Sequence, residues 1–168
     1  MWLKKEEGVP SKTPQKALSL LMRWCAIAER AESDAKAKLR DWQMSEEDSQ
    51  KIIAFLVREN FLNNERFLKS YVHDKVKLNR WGHLKIEYML KLKGFKSLEI
   101  RKALQSLPSE AYEEALLHVL KTKFVSIKQK KTLAPQQKIA LLVYARSRGF
   151  SQQLAFSLVD RVMGGKKD

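Results

Sequence analysis

The chain has 168 residues, 44% of them hydrophobic and 31% charged, and 33 Lys and Arg against 19 Asp and Glu leave a net charge of +14. Six glycines and four prolines are too few for a turn-rich β fold, so an all-α chain with a real core is expected. The single cysteine, Cys25, excludes an internal disulfide, and no run approaches the ~18 uninterrupted apolar residues of a membrane span.

Residues 1–12 read as a flexible N-terminal arm, broken by Gly8 and Pro10 and lacking the apolar run of a secretory signal. A cytoplasmic protein with no membrane partner follows. Thr13-Pro14 then opens a first helix, whose stripe Ala17, Leu18, Leu20, Leu21, Trp24, Cys25 and Ala28 runs to about Glu29. A second helix is predicted from Ser33 to Trp42. A third is opened by the cap Ser45 and the acids Glu46, Glu47 and Asp48, with the core face Ile52, Ile53, Phe55, Leu56 and Val57. Asn64 is the predicted cap of the fourth helix, which carries Phe67, Leu68, Tyr71, Val72 and Val76 on one side. Trp81-Gly82 breaks it. A fifth helix runs from Gly82 to Lys93 and stops at Gly94, and a sixth from Ser97 to Ser106. Helices over 109–125, 135–148 and 151–163 complete the chain, with 126–134 as a flexible connection.

The plan repeats. The step from second to third helix reads Trp42-Gln43-Met44-Ser45, then Gly94-Phe95-Lys96-Ser97, then Gly149-Phe150-Ser151, with the capping serines 52 and 54 residues apart. Shared punctuation at a period near fifty predicts three tandem three-helix repeats, over 13–62, 63–107 and 108–168, the last with a basic tail. Units this small bury little surface alone, so they should pack side by side into an elongated, curved molecule.

Charge is unevenly placed. Residues 1–63 carry 11 basic and 10 acidic groups, 64–114 carry 11 and 7, and 115–168 carry 11 and 2. From Lys69 to Lys96 eight cations face only Asp74 and Glu87. Amphipathic helices with cationic outer faces make a surface for an anionic partner. Trp81, at a break among lysines, is placed either to stack on a base or partner or to wedge between helices. His73, His83 and His118 do not have metal-ligand spacing, and no glycine-rich phosphate loop occurs. With no nucleophile, base and orienter that could meet, no enzyme, cofactor or metal is expected.

Phe61-Leu62, Glu65-Arg66-Phe67, Gly82, Lys85-Ile86, Leu90 and Lys93-Gly94-Phe95 resemble the RecX regulatory proteins in order and spacing. Ala28-Glu29-Arg30, Ser33, Lys38-Leu39 and Trp42 resemble that family's first repeat. The likeness covers roughly Ala17 to Val162. It departs from the pattern at Asn64, where an acid is usual, and at Leu68, where alanine is usual; the third unit matches weakly.

The resemblance implies a regulator that binds the RecA recombinase and its filament on single-stranded DNA. Such a protein lodges in the filament groove or blocks filament extension, and so damps recombination and the RecA-stimulated cleavage of repressors. On that reading a monomer would dock through Lys75, Lys77, Arg80, Trp81, Lys85, Lys91 and Lys93 of the second unit and Lys128, Lys130, Lys131, Arg146 and Arg148 of the third. The same residues could touch single- or double-stranded DNA directly. The rival is a free-standing nucleic-acid-binding helical protein without sequence preference, since lysine-rich faces suit phosphates rather than base edges.

Overall fold

A computed structural model describes residues 11–129 and 133–164. Nine α-helices and no strand are found among the described residues. They are α1 (Pro14–Ile27), α2 (Glu32–Asp41), α3 (Glu46–Arg58), α4 (Asn64–Lys77), α5 (His83–Leu92), α6 (Ser97–Gln105), α7 (Ser109–Lys128), α8 (Ala134–Ser147) and α9 (Gln152–Gly164). The chain divides into two compact units, one ending at Phe67 and the other beginning at Leu68.

In the first unit α1, α2 and α3 close on one another. Ala17 and Leu21, Ala35 and Leu39, and Ile52, Ile53 and Leu56 form its core with Met44 and Leu62; Trp24 and Trp42 pack against it half-buried. Thr13 accepts from the Lys16 N–H at 3.3 Å and Ser45 from the Asp48 N–H at 3.1 Å, so both predicted caps are in place. The fourth helix is capped differently from expectation. Asn63 Oδ1 accepts from the Arg66 N–H at 3.0 Å, and Asn64 is the first helical residue. Asn63 faces the free N–H groups from one residue further out, where a short amide side chain can reach back. The Arg66 guanidinium then donates to Glu29 at 2.8 Å and to the Asn60 carbonyl at 2.9 Å. The Glu65-Arg66 pattern thus has a structural use in its arginine, which ties the entry of α4 to the loop after α1.

The second unit contains α5 to α9 and most of α4. Val72 and Val76, Ile86 and Leu90, and Ile100 and Ala103 are buried from α4, α5 and α6. Leu116, Val119 and Leu120, Leu141 and Ala145, and Leu158 and Val159 are buried where α7, α8 and α9 pack together. The predicted connection over 126–134 is shorter than expected. Ser126, Ile127 and Lys128 continue α7, because Ile127 is buried and holds the last turn down.

One turn recurs three times. Gln43, Gly94 and Gly149 have φ of 55°, 88° and 88°. Each donates its N–H three residues back, to Arg40, Lys91 and Arg146. The next residue, Met44, Phe95 or Phe150, donates five residues back and is itself buried. This is the helix-ending motif in which a left-handed residue lets two orphan carbonyls be satisfied and a hydrophobic side chain fold under. The following helix is then capped one residue later, by Ser45, Lys96 and Ser151. Ser97 is therefore not the cap of α6. It sits inside the helix, and Glu99 accepts from the Lys96 N–H at 2.9 Å instead.

Gly82 and Gly149 meet backbone to backbone. The Gly82 N–H donates to the Arg148 carbonyl at 2.8 Å, and the Leu84 N–H to the Gly149 carbonyl at 3.0 Å. A Cβ on Gly82 would collide with the Gly149 carbonyl and the Phe150 nitrogen, and one on Gly149 with Cβ of Lys85. Gly94 has only open space around it. Gly94→Ala should therefore cost about 1–2 kcal/mol of left-handed strain, whereas Gly82→Ala and Gly149→Ala should cost roughly 3 kcal/mol or more by overpacking. Urea denaturation of the three variants checks the order; a Gly82→Ala variant as stable as Gly94→Ala would contradict the close approach.

Candidate docking surface

The turn between α4 and α5 brings two of the predicted basic residues, Lys75 and Lys85, to one ring. Arg80 takes a left-handed conformation at φ 54°, which swings Trp81 back so that its N–H donates to the Lys75 carbonyl at 2.9 Å. The half-buried Trp81 ring then lies beneath two ammonium groups, Lys85 Nζ at 4.5 Å and Lys75 Nζ at 5.0 Å from its centroid. Lys75 also sits 5.1 Å over Tyr71. Each such contact is worth roughly 0.5–1 kcal/mol at a partly exposed site. Stacking a base on Trp81 would have to displace an ammonium, so the ring serves here to order cations.

Arg148 is brought to the same turn in another capacity. Its guanidinium donates to the carbonyls of Asn79 and Arg80 in the turn that follows α4. Half-buried, with one terminal nitrogen on both carbonyls and its Nε buried without a partner, it clamps the turn.

The remaining predicted residues are scattered over other elements. Lys77 is exposed in the last turn of α4, and Lys93, half-buried, ends α5. Lys91 pairs with Glu87 at 2.6 Å one turn before it. Lys128 is exposed at the end of α7, 6.0 Å over Phe124. Arg146 is exposed beside a groove of about 160 Å³ formed by Leu142, Val143, Gln152, Ala155 and Phe156. Lys130 and Lys131 lie outside the described residues. Sequence reasoning did not find Lys123, which stands 5.1 Å over Tyr144. A cation and a ring on different helices leave no spacing signal.

Beneath the turn, His83 stacks on Tyr112 with centroids 3.7 Å apart, and Tyr112 lies 5.2 Å from Phe150. The His83 N–H donates to the Tyr112 hydroxyl at 3.0 Å. Burial pushes the imidazole pKa below its ordinary 6.5 and the phenol pKa above its ordinary 10.0. Burial likewise raises the Cys25 thiol, so it has no special reactivity. Among the described residues no group of three His, Cys, Asp or Glu could hold a metal, and no helix is long and apolar enough to cross a membrane.

The described residues form an all-α fold of short helices joined by a repeated turn, with an ordered pair of lysines at the turn between α4 and α5. The comparisons place it more closely. A family model described as "RecX, second three-helix domain" matches residues 63–104. The chain is 31% identical over 124 residues to "Regulatory protein RecX" of Clostridium acetobutylicum, covering 73% of this chain and 57% of that one. It is 28% identical over 134 residues to the protein of the same name in Clostridium beijerinckii, covering 80% and 62%. It therefore spans about three fifths of the length of these relatives. The crystal structure of RecX from Lactobacillus salivarius superposes with a TM-score of 0.76 at 16% identity, covering 89% of this chain and 96% of that one. A second, "Crystal structure of regulatory protein RecX", gives 0.76 at 20% identity, covering 88% and 71%. At these identities the structural likeness is one of fold. Over these stretches the chain is similar to the RecX regulatory proteins.

The lowered pKa of His83 has a sign that can be measured. The folded state prefers the neutral ring, so the stabilisation is complete above the unfolded pKa near 6.5 and is lost as pH falls through the lower folded value. The unfolding free energy of the wild type should fall as the pH drops below about 6.5. In His83→Phe, which keeps a ring on Tyr112, that fall should be smaller. Parallel pH profiles from denaturant melts would show it; identical slopes would mean that His83 is solvated.

Proposed function

We propose that the chain binds RecA and its filament on single-stranded DNA and restrains recombinase and co-protease activity, lodging in the filament groove or blocking filament extension. The similarity to regulatory proteins named RecX supports RecA as the partner. The observation that carries the docking site is the pair of ammonium groups held over Trp81. They are ordered but not neutralised, on a unit whose C-terminal portion has almost no acids. Such a site suits phosphates or carboxylates on a long partner, where weak contacts along a row sum. Lys77, Lys128 and Arg146 are further exposed cations on α4, α7 and α8 that a long partner would meet separately, while Arg148 supports the turn. The repeats at 13–62, 63–107 and 108–168 are its docking modules, and the chain acts as a monomer in the cytoplasm without catalysis of its own.

The test is RecA-driven, DNA-dependent ATP hydrolysis with this chain added below RecA stoichiometry. The wild type should lower the rate. Lys75→Gln with Lys85→Gln keeps the aliphatic stems over Trp81 and removes both charges, so it should weaken inhibition without loss of helix. If both lysines contact single-stranded DNA, the salt slope of binding should also fall by about 0.7 per lost contact. An ATPase rate untouched by the wild type, with DNA still retained, would favour the reading as a free-standing nucleic-acid binder, which the same lysine face permits.

A further inference from the structure

The α5 helix is apolar on two opposite sides. Successive residues turn by about 100°, so Leu84, Tyr88 and Leu92 fall in one row while Ile86 and Leu90 fall in the opposite one. The inner row is fully buried. The outer row is exposed: Leu84 by 57%, Tyr88 by 62% and Leu92 by 66%. A helix apolar all round is ordinarily covered all round, and three large exposed side chains in a row form a contiguous patch rather than scattered surface residues. By the same turn angle, Lys85 and Lys91 project along the two flanks of the row. Glu87, the one acid on this helix, is held by Lys91.

The geometry points to Leu84, Tyr88 and Leu92 as a protein-docking ridge whose partner is an acidic amphipathic segment, with apolar side chains laid on the ridge and carboxylates along its lysine flanks. Three considerations select this occupant. Phosphate backbones gain nothing from leucines, and one tyrosine between two leucines offers no run of stacking platforms for successive bases, so the ridge suits protein better than nucleic acid. A second copy of this chain would set like charges against each other, at a net +14 per copy. An acidic apolar strip satisfies both the ridge and its flanks, in the manner of a helix laid along a helix face. The inference rests on the docking reading above and refines it: the Trp81 turn meets anions of either kind, whereas the outer face of α5 meets protein.

The experiment compares wild type with a Leu84→Ser, Tyr88→Ser, Leu92→Ser variant against two probes: RecA without DNA, and a single-stranded oligonucleotide without RecA. The exposed positions should leave helical content unchanged; should it fall, Tyr88→Ser alone carries the comparison. RecA binding should drop by about tenfold or more, with oligonucleotide binding unchanged. Undiminished RecA binding by the variant would overturn the ridge while leaving the docking reading intact. Equal loss for both probes would also overturn it, since the ridge would then not distinguish protein from nucleic acid. A wild type that binds no RecA would bring down the docking reading and the ridge together.

Discussion

The close approach of Gly82 and Gly149 governs the second unit. Two turns more than sixty residues apart in sequence touch main chain to main chain, and no side chain larger than hydrogen fits between them. Backbone donors from Gly82 and Leu84 are satisfied by carbonyls of Arg148 and Gly149, so the joint is made of directional bonds. The start of α5 is thereby fixed against the end of α8. With α5 fixed, Lys85 is delivered to Trp81, and His83 is pressed onto Tyr112. The cationic turn is thus a consequence of the joint, and its geometry requires no acid to hold it.

Much of this was legible in the sequence because it is written in local chemistry. Apolar spacing located all nine helices among the described residues, and Thr13 and Ser45 announced their caps. Boundaries failed where two local signals competed. Asn63 and Asn64 are equally good caps on composition, and only the direction of the entering chain selects the first. Ser97 resembles Ser45 and Ser151, but the left-handed residue two positions before the cap sets the register, and counting from Gly94 lands on Lys96. Near Ile127 the lysine run suggested a loop, whereas burial of a single isoleucine extended the helix by a turn.

The candidate site was legible in composition and not in role. Lys75, Lys85 and Arg148 carry the same charge and look alike in a sequence. Their uses diverge because of partners that sequence distance hides: a ring for the lysines, and two carbonyls 68 and 69 residues away for the arginine. The turn's carbonyls at Asn79 and Arg80 both accept from one terminal nitrogen of the Arg148 guanidinium. Positive charge at this place therefore has two origins, one architectural and one available to a partner.

The distribution of ion pairs bears on which charges are available. Lys36 and Lys51 in the first unit and Lys91 in the second reach carboxylates one turn earlier, Glu32, Glu47 and Glu87, which offset their fields in part. At the Trp81 turn the lysines are ordered by aromatic faces. A ring quadrupole orients an ammonium without neutralising it, so the charge is held in place and its field persists outward. A carboxylate in the same position would fix the side chain equally well and quench the field. Because side-chain entropy is already partly lost, an arriving anion meets cations with less freedom to surrender on binding. The α5 ridge follows a similar logic in apolar form: side chains held by a rigid helix, uncovered, and awaiting a complementary surface. A partner that is both acidic and amphipathic would engage both features, which is why charge alone under-describes this face.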